Sequence, residues 1–259
     1  MDDTENPPAE PAAPRTSLPG RMLNVFAAPG EVFEEVKSSP PATANWLAPA
    51  LIFILVGWVC AAVIMSQDSI RRQLGDITSQ AIEKQIAKGK IPKEQADAMR
   101  QVGEKWGSIG TTISLAVMPV LGGFIAPFWG GLLLWLFGRF LIKVEFGFMK
   151  AVEIAGLGNM IGVLDAIVKT LLIVGMGNLF ASPSLALLVK DFNPQNTAHG
   201  VLAVVNVMSF WFLGVRTVGL AKLSGASAAK AAACIFGLWA VITAGLIGFG
   251  AAVRTISGG

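Results

Sequence analysis

The chain has 259 residues, of which 53% are hydrophobic and only 14% are charged. Soluble domains carry about a quarter charged residues, whereas the apolar residues here lie in nearly uncharged runs of about 20, the length at which a helix spans a bilayer. The net charge of +3 is too small to indicate binding to nucleic acid. The composition therefore predicts an all-α, polytopic membrane protein.

The first 40 residues precede any membrane span and divide into two parts. Residues 1–20 are rich in proline and acidic side chains, which is typical of a disordered tail. Residues 21–40 alternate apolar and charged side chains, with a break expected near Pro29-Gly30. This pattern predicts a short amphipathic helix on the membrane surface, with its apolar face formed by Leu23, Phe26, Val32, Phe33 and Val36.

The region 41–252 contains five segments that are predicted to span the membrane, and 253–259 is a C-terminal tail. The spans are expected at about 46–65, 111–138, 152–176, 201–220 and 229–252. The second span is longer than a bilayer requires and contains Pro119 and Pro127. We expect it to be a tilted or kinked helix, the alternative being two half-helices that form a re-entrant element.

The only sizeable polar insertion lies between the first two spans, at 67–108. It has eight basic and six acidic residues, and its apolar residues recur at helical spacing on either side of Gly89 and Pro92. Glycine is favoured just after a helix and proline in a first turn, so this segment predicts an extramembrane helical hairpin. It is expected either to rest against the bundle or the headgroups, or to dock a partner protein.

Basic residues in the short loops predict a cytoplasmic N-terminus. Six basic residues fall on the side of the N-terminus: Arg139, Lys143, Lys150, Arg216, Lys222 and Lys230. If the hairpin is left out, two fall on the other side, Lys190 and Arg254. The eight basic residues of the hairpin count in the opposite direction. In a bacterium, the expected location is the cytoplasmic (inner) membrane, crossed several times.

Two polar stripes run along predicted spans. Asp165 and Lys169 lie one turn apart in the third span, and each costs roughly 2.5–3.5 kcal/mol near the centre of an inserting helix. Asn206, Ser209 and Arg216 form a stripe in the fourth span, and we expect the two stripes to face each other. The Asp165–Lys169 pair either fixes helix packing or serves transport or signalling, since ionisable residues inside membranes are functional candidates.

Other residues of the spans suggest packing or contact with headgroups. Four glycines are predicted to let helices approach closely, within the bundle or between copies of the chain: Gly158 and Gly162 in the third span, and Gly245 and Gly248 in the fifth. Glu153 and Arg216 lie near span ends, and we expect their side chains to snorkel to the headgroups.

Nothing in the sequence assembles a catalytic, cofactor or metal site. His199 is the single histidine, and it falls in a predicted loop, while Cys60 and Cys234 lie inside apolar runs without metal-ligand spacing. No nucleophile–base pair and no phosphate-binding motif can be recognised. We therefore expect no enzyme activity, no cofactor and no metal.

Two stretches resemble a known family. They are LNVFAAPGEVFEEVK at 23–37 and NVMSFWFLGVRTVGLAKLSGASAAKAAACIFGLW at 206–239, which are similar to the opening and the end of the Yip (Ypt/Rab-interacting protein) domain family, in its bacterial form. The resemblance implies five spans, a cytoplasmic N-terminus and no catalytic residues. Because the chain has no tyrosine, the Tyr-Gly-Pro-type motif of eukaryotic members is missing, and Rab binding does not carry over.

The expected function is that of a non-enzymatic integral membrane scaffold or adaptor in membrane organisation or trafficking-like processes. Its partners would be the lipid bilayer and either another protein or a second copy of the chain. The alternative is a small transporter or channel subunit that uses the Asp165/Lys169 pair.

Overall fold

The computed structural model describes residues 16–89, 96–190, 192–193 and 196–256. Residues 1–15 of the predicted tail, and 257–259 at the other terminus, lie outside this range. The described residues contain no strand, and a single isolated bridge joins Ser184 to Asn206. The predicted all-α class is confirmed.

The described part of the chain forms ten α-helices. They are α1 (Leu18–Ala27), α2 (Pro29–Ser38), α3 (Ala44–Met65), α4 (Asp68–Ala87), α5 (Ala96–Leu136), α6 (Phe148–Gly158), α7 (Met160–Met176), α8 (Thr197–Val204), α9 (Val207–Ser224) and α10 (Ala228–Ile256). A π-helix, Phe137–Ile142, continues α5, and a 3₁₀ turn, Leu185–Leu188, lies in the loop after α7. Helix α10 includes residues 253–256, which the sequence assigned to the C-terminal tail.

Four helical segments of the described residues are long and apolar enough to cross a membrane: Ala44–Met65, Ile113–Ile142, Phe148–Met176 and Ala228–Gly250. They correspond to the predicted first, second, third and fifth spans, and they make the protein a multi-pass membrane protein. The segment Phe148–Met176 combines α6 and α7, which are interrupted only at Asn159. A total of five spans stays a prediction.

The predicted fourth span, 201–220, is divided in the structure between α8 and α9. The backbone is not helical at Val205 and Asn206, where Asn206 accepts hydrogen bonds from the N–H groups of α9's first turn. The loop after α7 supplies partners for the interrupted backbone: Leu185 N–H donates to Val205 O, and Val207 N–H donates to Pro183 O, both at 3.0 Å. Asparagine is a favoured N-cap, which explains why the helix restarts there.

Helix α5 joins the predicted hairpin to the predicted second span. It has 41 residues, a length of about 60 Å, or twice the roughly 30 Å of bilayer hydrocarbon. The structure therefore differs from the sequence prediction, which placed a boundary between 108 and 111. Pro119 and Pro127 lie inside continuous helix, so the re-entrant alternative for this span is wrong. Gly89, with φ of 67°, takes the left-handed conformation expected after the hairpin's first helix.

The two ends of the bundle can be defined by contacts between helices. At the N-terminal end, α1 and α2 meet the first residues of α3 and α6 and the last turn of α9. At the opposite end, Gln73 of α4 binds the loop that follows α7: its side-chain amide donates to Gly177 O at 2.6 Å and accepts from Leu179 N–H at 3.0 Å. Helix α4 therefore rests against the bundle, and Ile70 is buried there.

Helices α1 and α2 pack against the bundle, contrary to the predicted orientation towards lipid. Val25, Val32, Phe33 and Val36 are buried in the main core, where they join apolar residues of α6 and α9. Leu23 points outwards, with 68% of its surface exposed. The predicted break is present at Ala28, immediately before Pro29. The protein core and the membrane surface both remove apolar side chains from water, so the amphipathic pattern is compatible with either environment.

Candidate functional site

The predicted pair in α7 does not form an ion pair. Asp165 is partly buried, and its Oδ1 atom is fully enclosed without a hydrogen-bond donor. Lys169 is exposed, and none of the ion pairs among the described residues joins it to Asp165. The two residues are thus one turn apart without neutralising each other through direct contact.

The predicted stripe of α9 is not a single polar surface. Asn206 is the N-cap of the helix, and its Oδ1 accepts from Met208 N–H at 2.9 Å and Ser209 N–H at 3.2 Å. Ser209 is therefore held through its backbone, next to the cap. These two residues serve the start of α9, and no hydrogen bond described for them connects them to Asp165.

Arg216 is the member of the predicted cluster that does reach the third span. Its terminal nitrogen donates to Asn159 Oδ1 at 3.1 Å, at the interruption between α6 and α7, and its guanidinium lies 4.4 Å from the centre of the Phe212 ring. The guanidinium also lies against the backbone of Gly130 in α5. The expected snorkelling of Arg216 is therefore wrong. Helical side chains lean towards the N-terminus of their helix, and for α9 that direction leads into the bundle.

A charged network that the sequence did not reveal lies at the N-terminal end. Arg21 of α1 donates to Glu35 Oε1 of α2 at 2.8 Å and to Asn45 Oδ1 of α3 at 3.2 Å. Asn45 in turn donates to Glu153 Oε2 of α6 at 2.7 Å. We call these residues, together with Lys150, the four-helix network.

Lys150 returns the four-helix network to α2. Its ammonium group donates to Val36 O at 2.9 Å and lies 3.2 Å from Glu153 Oε1. Glu153 and Asn45 are each only 1% exposed, so the carboxylate is wholly inside the protein. The expected snorkelling of Glu153 is wrong, because its partners lie inside the bundle. Buried charges are tolerated when they are paired and hydrogen-bonded. Here Oε2 of Glu153 accepts a hydrogen bond, whereas the buried Oε1 has the ion pair with Lys150 and no hydrogen bond from the described residues.

The residues of the network come from distant parts of the chain. Asn45 and Glu153 are 108 positions apart, and no local spacing connects them. The one signal that could have indicated the network is Glu153 itself, a carboxylate two residues into a predicted span, three positions after Lys150. A carboxylate at a span end can either reach the headgroups or pair inside the bundle, and the sequence decides neither this nor which helix would supply the partner.

Glu35 of the four-helix network has a lowered pKa. Partial burial acts to raise the pKa of this carboxyl, but hydrogen bonds from Arg21 and from the Thr16 N–H, with the charge of Arg21, outweigh it and hold the pKa below the ordinary value of 4.5. A carboxyl whose pKa is lowered by folding stabilises the folded state above its unfolded pKa, and this contribution is lost as the pH falls.

We therefore expect Glu35→Gln to lower thermal stability at neutral pH. The difference from the unmodified protein should shrink as the pH falls below about 4.5. At low pH the Glu35 carboxyl of the unmodified protein becomes protonated, and like the amide that replaces it in the variant it then carries no charge. Thermal unfolding of the purified protein across this pH range measures the effect. A difference that stays constant with pH would mean that the Arg21–Glu35 contact contributes through packing and not through charge.

The predicted packing glycines differ from those at which helices approach most closely. A Cβ atom on Gly158 or Gly162 would meet ordinary contacts, at 3.6 and 3.9 Å, and one on Gly245 or Gly248 would meet nothing within 4 Å. A Cβ atom on Gly156, by contrast, would lie 2.5 Å from the Cα atom of Trp46. The tightest approach of α6 to α3 is thus at Gly156, beside the four-helix network.

Gly156→Ala should therefore destabilise the protein by about 1–3 kcal/mol, the usual effect of overpacking a core. The colliding atoms are Cα and Cβ of Trp46 and the carbonyl oxygen of Asn45 in α3, which are fixed by the helix and cannot move aside as the end of a side chain would. Gly245→Ala is the matched control in α10, and it should be neutral. Thermal unfolding in detergent compares the two variants, and equal effects would show that α3 and α6 are not in close contact.

The described residues hold no group of three or more histidine, cysteine, aspartate or glutamate side chains that could bind a metal ion. Cys60 and Cys234 are both free thiols. What the four-helix network can do chemically is to hold α1 and α2 at a defined position on the bundle, through charge-assisted hydrogen bonds that are shorter and stronger than neutral ones.

A comparison with protein families gives one match, to the Yip1 domain, over residues 23–249. The matched region begins in α1 and ends in α10, so it contains nearly all of the four-helix network and the whole of the predicted polar cluster. No curated protein and no solved structure matches the chain.

Proposed function

Because the chain belongs to the Yip1 domain family, we propose that this membrane protein is a non-enzymatic scaffold or adaptor in membrane organisation or trafficking-like processes. In this proposal α1 and α2 are the docking surface for a protein partner. The four-helix network is the observation that carries it, since these bonds attach both helices to α3 and α6. A surface that is held rigid before binding loses less conformational entropy when a partner docks.

The outward side of α1 and α2 has a suitable mixture of side chains for such a surface. Leu23, Glu31, Glu34 and Lys37 are exposed on it. Among the residues that the structure describes, Glu34 is the one of these with an ion-pair partner, Lys222 of α9 at 3.3 Å, and exposed pairs of this kind contribute little to stability. An apolar side chain surrounded by charges is typical of the anchor and rim of a protein interface.

We further propose that this surface faces the cytoplasm, with the N-terminus inside and, in a bacterium, in the inner membrane. Support comes from the exposed or partly exposed basic residues of the short connections at the N-terminal end, which follow the positive-inside rule: Arg139, Lys143, Lys222 and Lys230. Arg216 and Lys150 are left out of this count, because both side chains have their partners within the bundle. Reaction of a single cysteine introduced at Lys37, in a variant without Cys60 and Cys234, with a membrane-impermeant reagent tests the orientation in intact cells.

The scaffold proposal is tested on the full-length protein by crosslinking in its native membrane. We expect specific crosslinked partners for the unmodified chain, and their loss in the variant Leu23→Ser/Glu31→Lys. Lys190→Glu alters an exposed charge of the loop after α7, away from the docking surface, and serves as the control that should keep them. If all three proteins crosslink to the same set, or if the unmodified chain crosslinks to none, the proposal is wrong.

A second candidate function, a small transporter or channel subunit, is favoured by the enclosed Oδ1 atom of Asp165, which accepts no hydrogen bond from the described residues. We expect Asp165→Leu/Lys169→Leu to keep its stability if the pair serves packing alone, because both charges leave together. Proton flux into proteoliposomes under a pH gradient separates the two functions. A flux in the unmodified protein that the folded double variant lacks would establish transport.

A further inference from the structure

An open cavity of about 320 Å³ lies where the chain passes from the second span to the third. It is lined by Trp135, Arg139, Val144, Glu145, Phe146 and Gly147. These residues occupy the end of Ile113–Ile142 and the connection to Phe148–Met176, so the cavity lies where the bundle meets the boundary between hydrocarbon and water. We call it the boundary cavity.

The walls of the boundary cavity hold a cation in a defined position. The Arg139 guanidinium lies 5.4 Å from the centre of the Trp135 ring, and Trp135 packs edge-on against Phe148 with ring centres 6.3 Å apart. Among the described lining residues, the carboxylate is that of Glu145, whose Oε1 lies 3.8 Å from Arg139. Glu145 is 85% exposed, so water screens this pair and it leaves the guanidinium available to another anion.

Lys143 places a second cation next to the cavity. It is the one non-glycine residue with positive φ in the described chain, at 64°, a conformation that β-carbons disfavour. The turn is closed by a hydrogen bond of 2.9 Å from Val144 N–H to Gly138 O. Lys143 is exposed and immediately precedes the wall residue Val144. The connection therefore presents two cations and one weakly held carboxylate.

Apolar side chains beside these cations distinguish a lipid from a soluble anion. Phe140 and Leu141 are 62% and 53% exposed between Arg139 and Lys143, and Phe148 and Met149 are exposed at the start of α6. In water such a patch would be unfavourable, whereas acyl chains would cover it. Arg139 and Lys143 come at the end of the apolar segment Ile113–Ile142, and basic pockets between spans suit anionic headgroups.

We infer that the boundary cavity binds the headgroup of an anionic phospholipid. Its phosphate is held by Arg139 and Lys143, and its acyl chains lie on Phe140 and Leu141. Trp135 positions the guanidinium, and Glu145 limits the affinity by competing for it. This site is separate from the docking surface of α1 and α2, so failure of one proposal leaves the other standing.

The test measures ligand-dependent thermal stabilisation of the full-length protein purified in a neutral detergent. Dioctanoyl phosphatidylglycerol should raise the unfolding temperature in a concentration-dependent way, because a ligand that binds only the folded state stabilises it. Dioctanoyl phosphatidylcholine and free glycerol phosphate, at the same concentrations, should not. Arg139→Gln/Lys143→Gln should weaken the apparent affinity for phosphatidylglycerol by about tenfold or more, as loss of charge-assisted hydrogen bonds predicts.

Three further variants make the test specific for the cavity. Lys230→Gln removes an exposed cation elsewhere at the N-terminal end and should leave the affinity unchanged. Gly147→Leu, at a position where a Cβ atom would meet nothing within 4 Å, should lower the affinity by filling the cavity without a change in charge. Glu145→Gln should raise it.

Each opposing result overturns the inference. Equal stabilisation by phosphatidylcholine would mean a site for acyl chains without charge selection, and stabilisation by glycerol phosphate alone would mean a soluble ligand. Undiminished binding in both Arg139→Gln/Lys143→Gln and Gly147→Leu would place the lipid elsewhere. Absence of stabilisation by any of the three compounds would mean that the cavity binds none of them.

Discussion

Lys150→Met should lower the free energy of unfolding by about 3–5 kcal/mol, the usual effect of removing one partner from a buried ion pair. Glu153 is 1% exposed, and its negative charge would be left inside the bundle with the Asn45 amide as its remaining hydrogen-bond donor. The carbonyl oxygen of Val36 would also lose the hydrogen bond from Lys150. Reversible unfolding in mixed micelles measures the loss.

Two controls separate the buried charge from the other effects of this substitution. The double variant Lys150→Met/Glu153→Gln removes both charges and should recover most of the stability, since a buried pair can be replaced by neutral groups at little net loss. Lys222→Met breaks the exposed pair with Glu34 and should change stability by no more than about 1 kcal/mol. If Lys150→Met is as mild as Lys222→Met, the carboxylate is not buried as the structure describes.

Phe33→Ala should also cost about 3–5 kcal/mol, as expected for a large aromatic side chain removed from a core. Phe33 is fully buried among residues of α6 and α9. Its ring also packs against Gly219 of α9, where an added Cβ atom would lie 3.5 Å from the ring. Its loss would leave a cavity that helices fixed by the four-helix network cannot close. Equilibrium unfolding, and proteolysis of α2 under native conditions, measure the result.

Leu23→Ala is the matched control for Phe33→Ala, because Leu23 belongs to the same predicted amphipathic segment but is 68% exposed. It should change stability by no more than about 0.5 kcal/mol. The contrast decides whether this segment is part of the bundle or a helix on the lipid surface. A surface helix would give similar small effects for both substitutions in detergent, and that result would contradict the packing of α2 against α9.

Loss of stability at either position should also affect the proposed docking surface. Lys150 and Phe33 both hold α2 in place, one through hydrogen bonds to the network and the other through apolar burial. Neither residue is on the outward side that we propose to contact a partner. If Lys150→Met or Phe33→Ala weakens crosslinking while Leu23 and Glu31 are unchanged, the docking surface depends on the position of α2 as well as on the side chains that contact the partner.

Several features could be predicted because they depend on local sequence or on total composition. The membrane class follows from long runs without charge, and the family follows from the stretches at 23–37 and 206–239, a resemblance that the match over 23–249 confirms. The break before Pro29 and the left-handed Gly89 follow from the backbone preferences of proline and glycine. Each of these features depends on interactions between residues close together in the chain or on the transfer of apolar side chains out of water.

The predicted polar cluster shows where such reasoning ends. Helical spacing correctly assigns Asp165 and Lys169 to one side of their helix, but it does not say which helix that side faces. The structure joins Arg216 to Asn159, a residue that the prediction did not include. Spacing groups Asn206 with Ser209 and Arg216, but Asn206 acts as a helix cap. A cap depends on where the helix starts and not on the periodicity of its side chains.

The sequence by itself determined that the chain is helical, lies in a membrane, carries an amphipathic segment before its first span, and belongs to its family. These properties arise from hydrophobic transfer and from local backbone preferences, which each segment expresses alone. Only the tertiary structure decided that this segment packs against α9, and that Arg21, Asn45 and Glu153 meet. Pairing between residues 24 and 108 positions apart depends on how the helices assemble, because a buried charge is stable only where several helices together supply its partners.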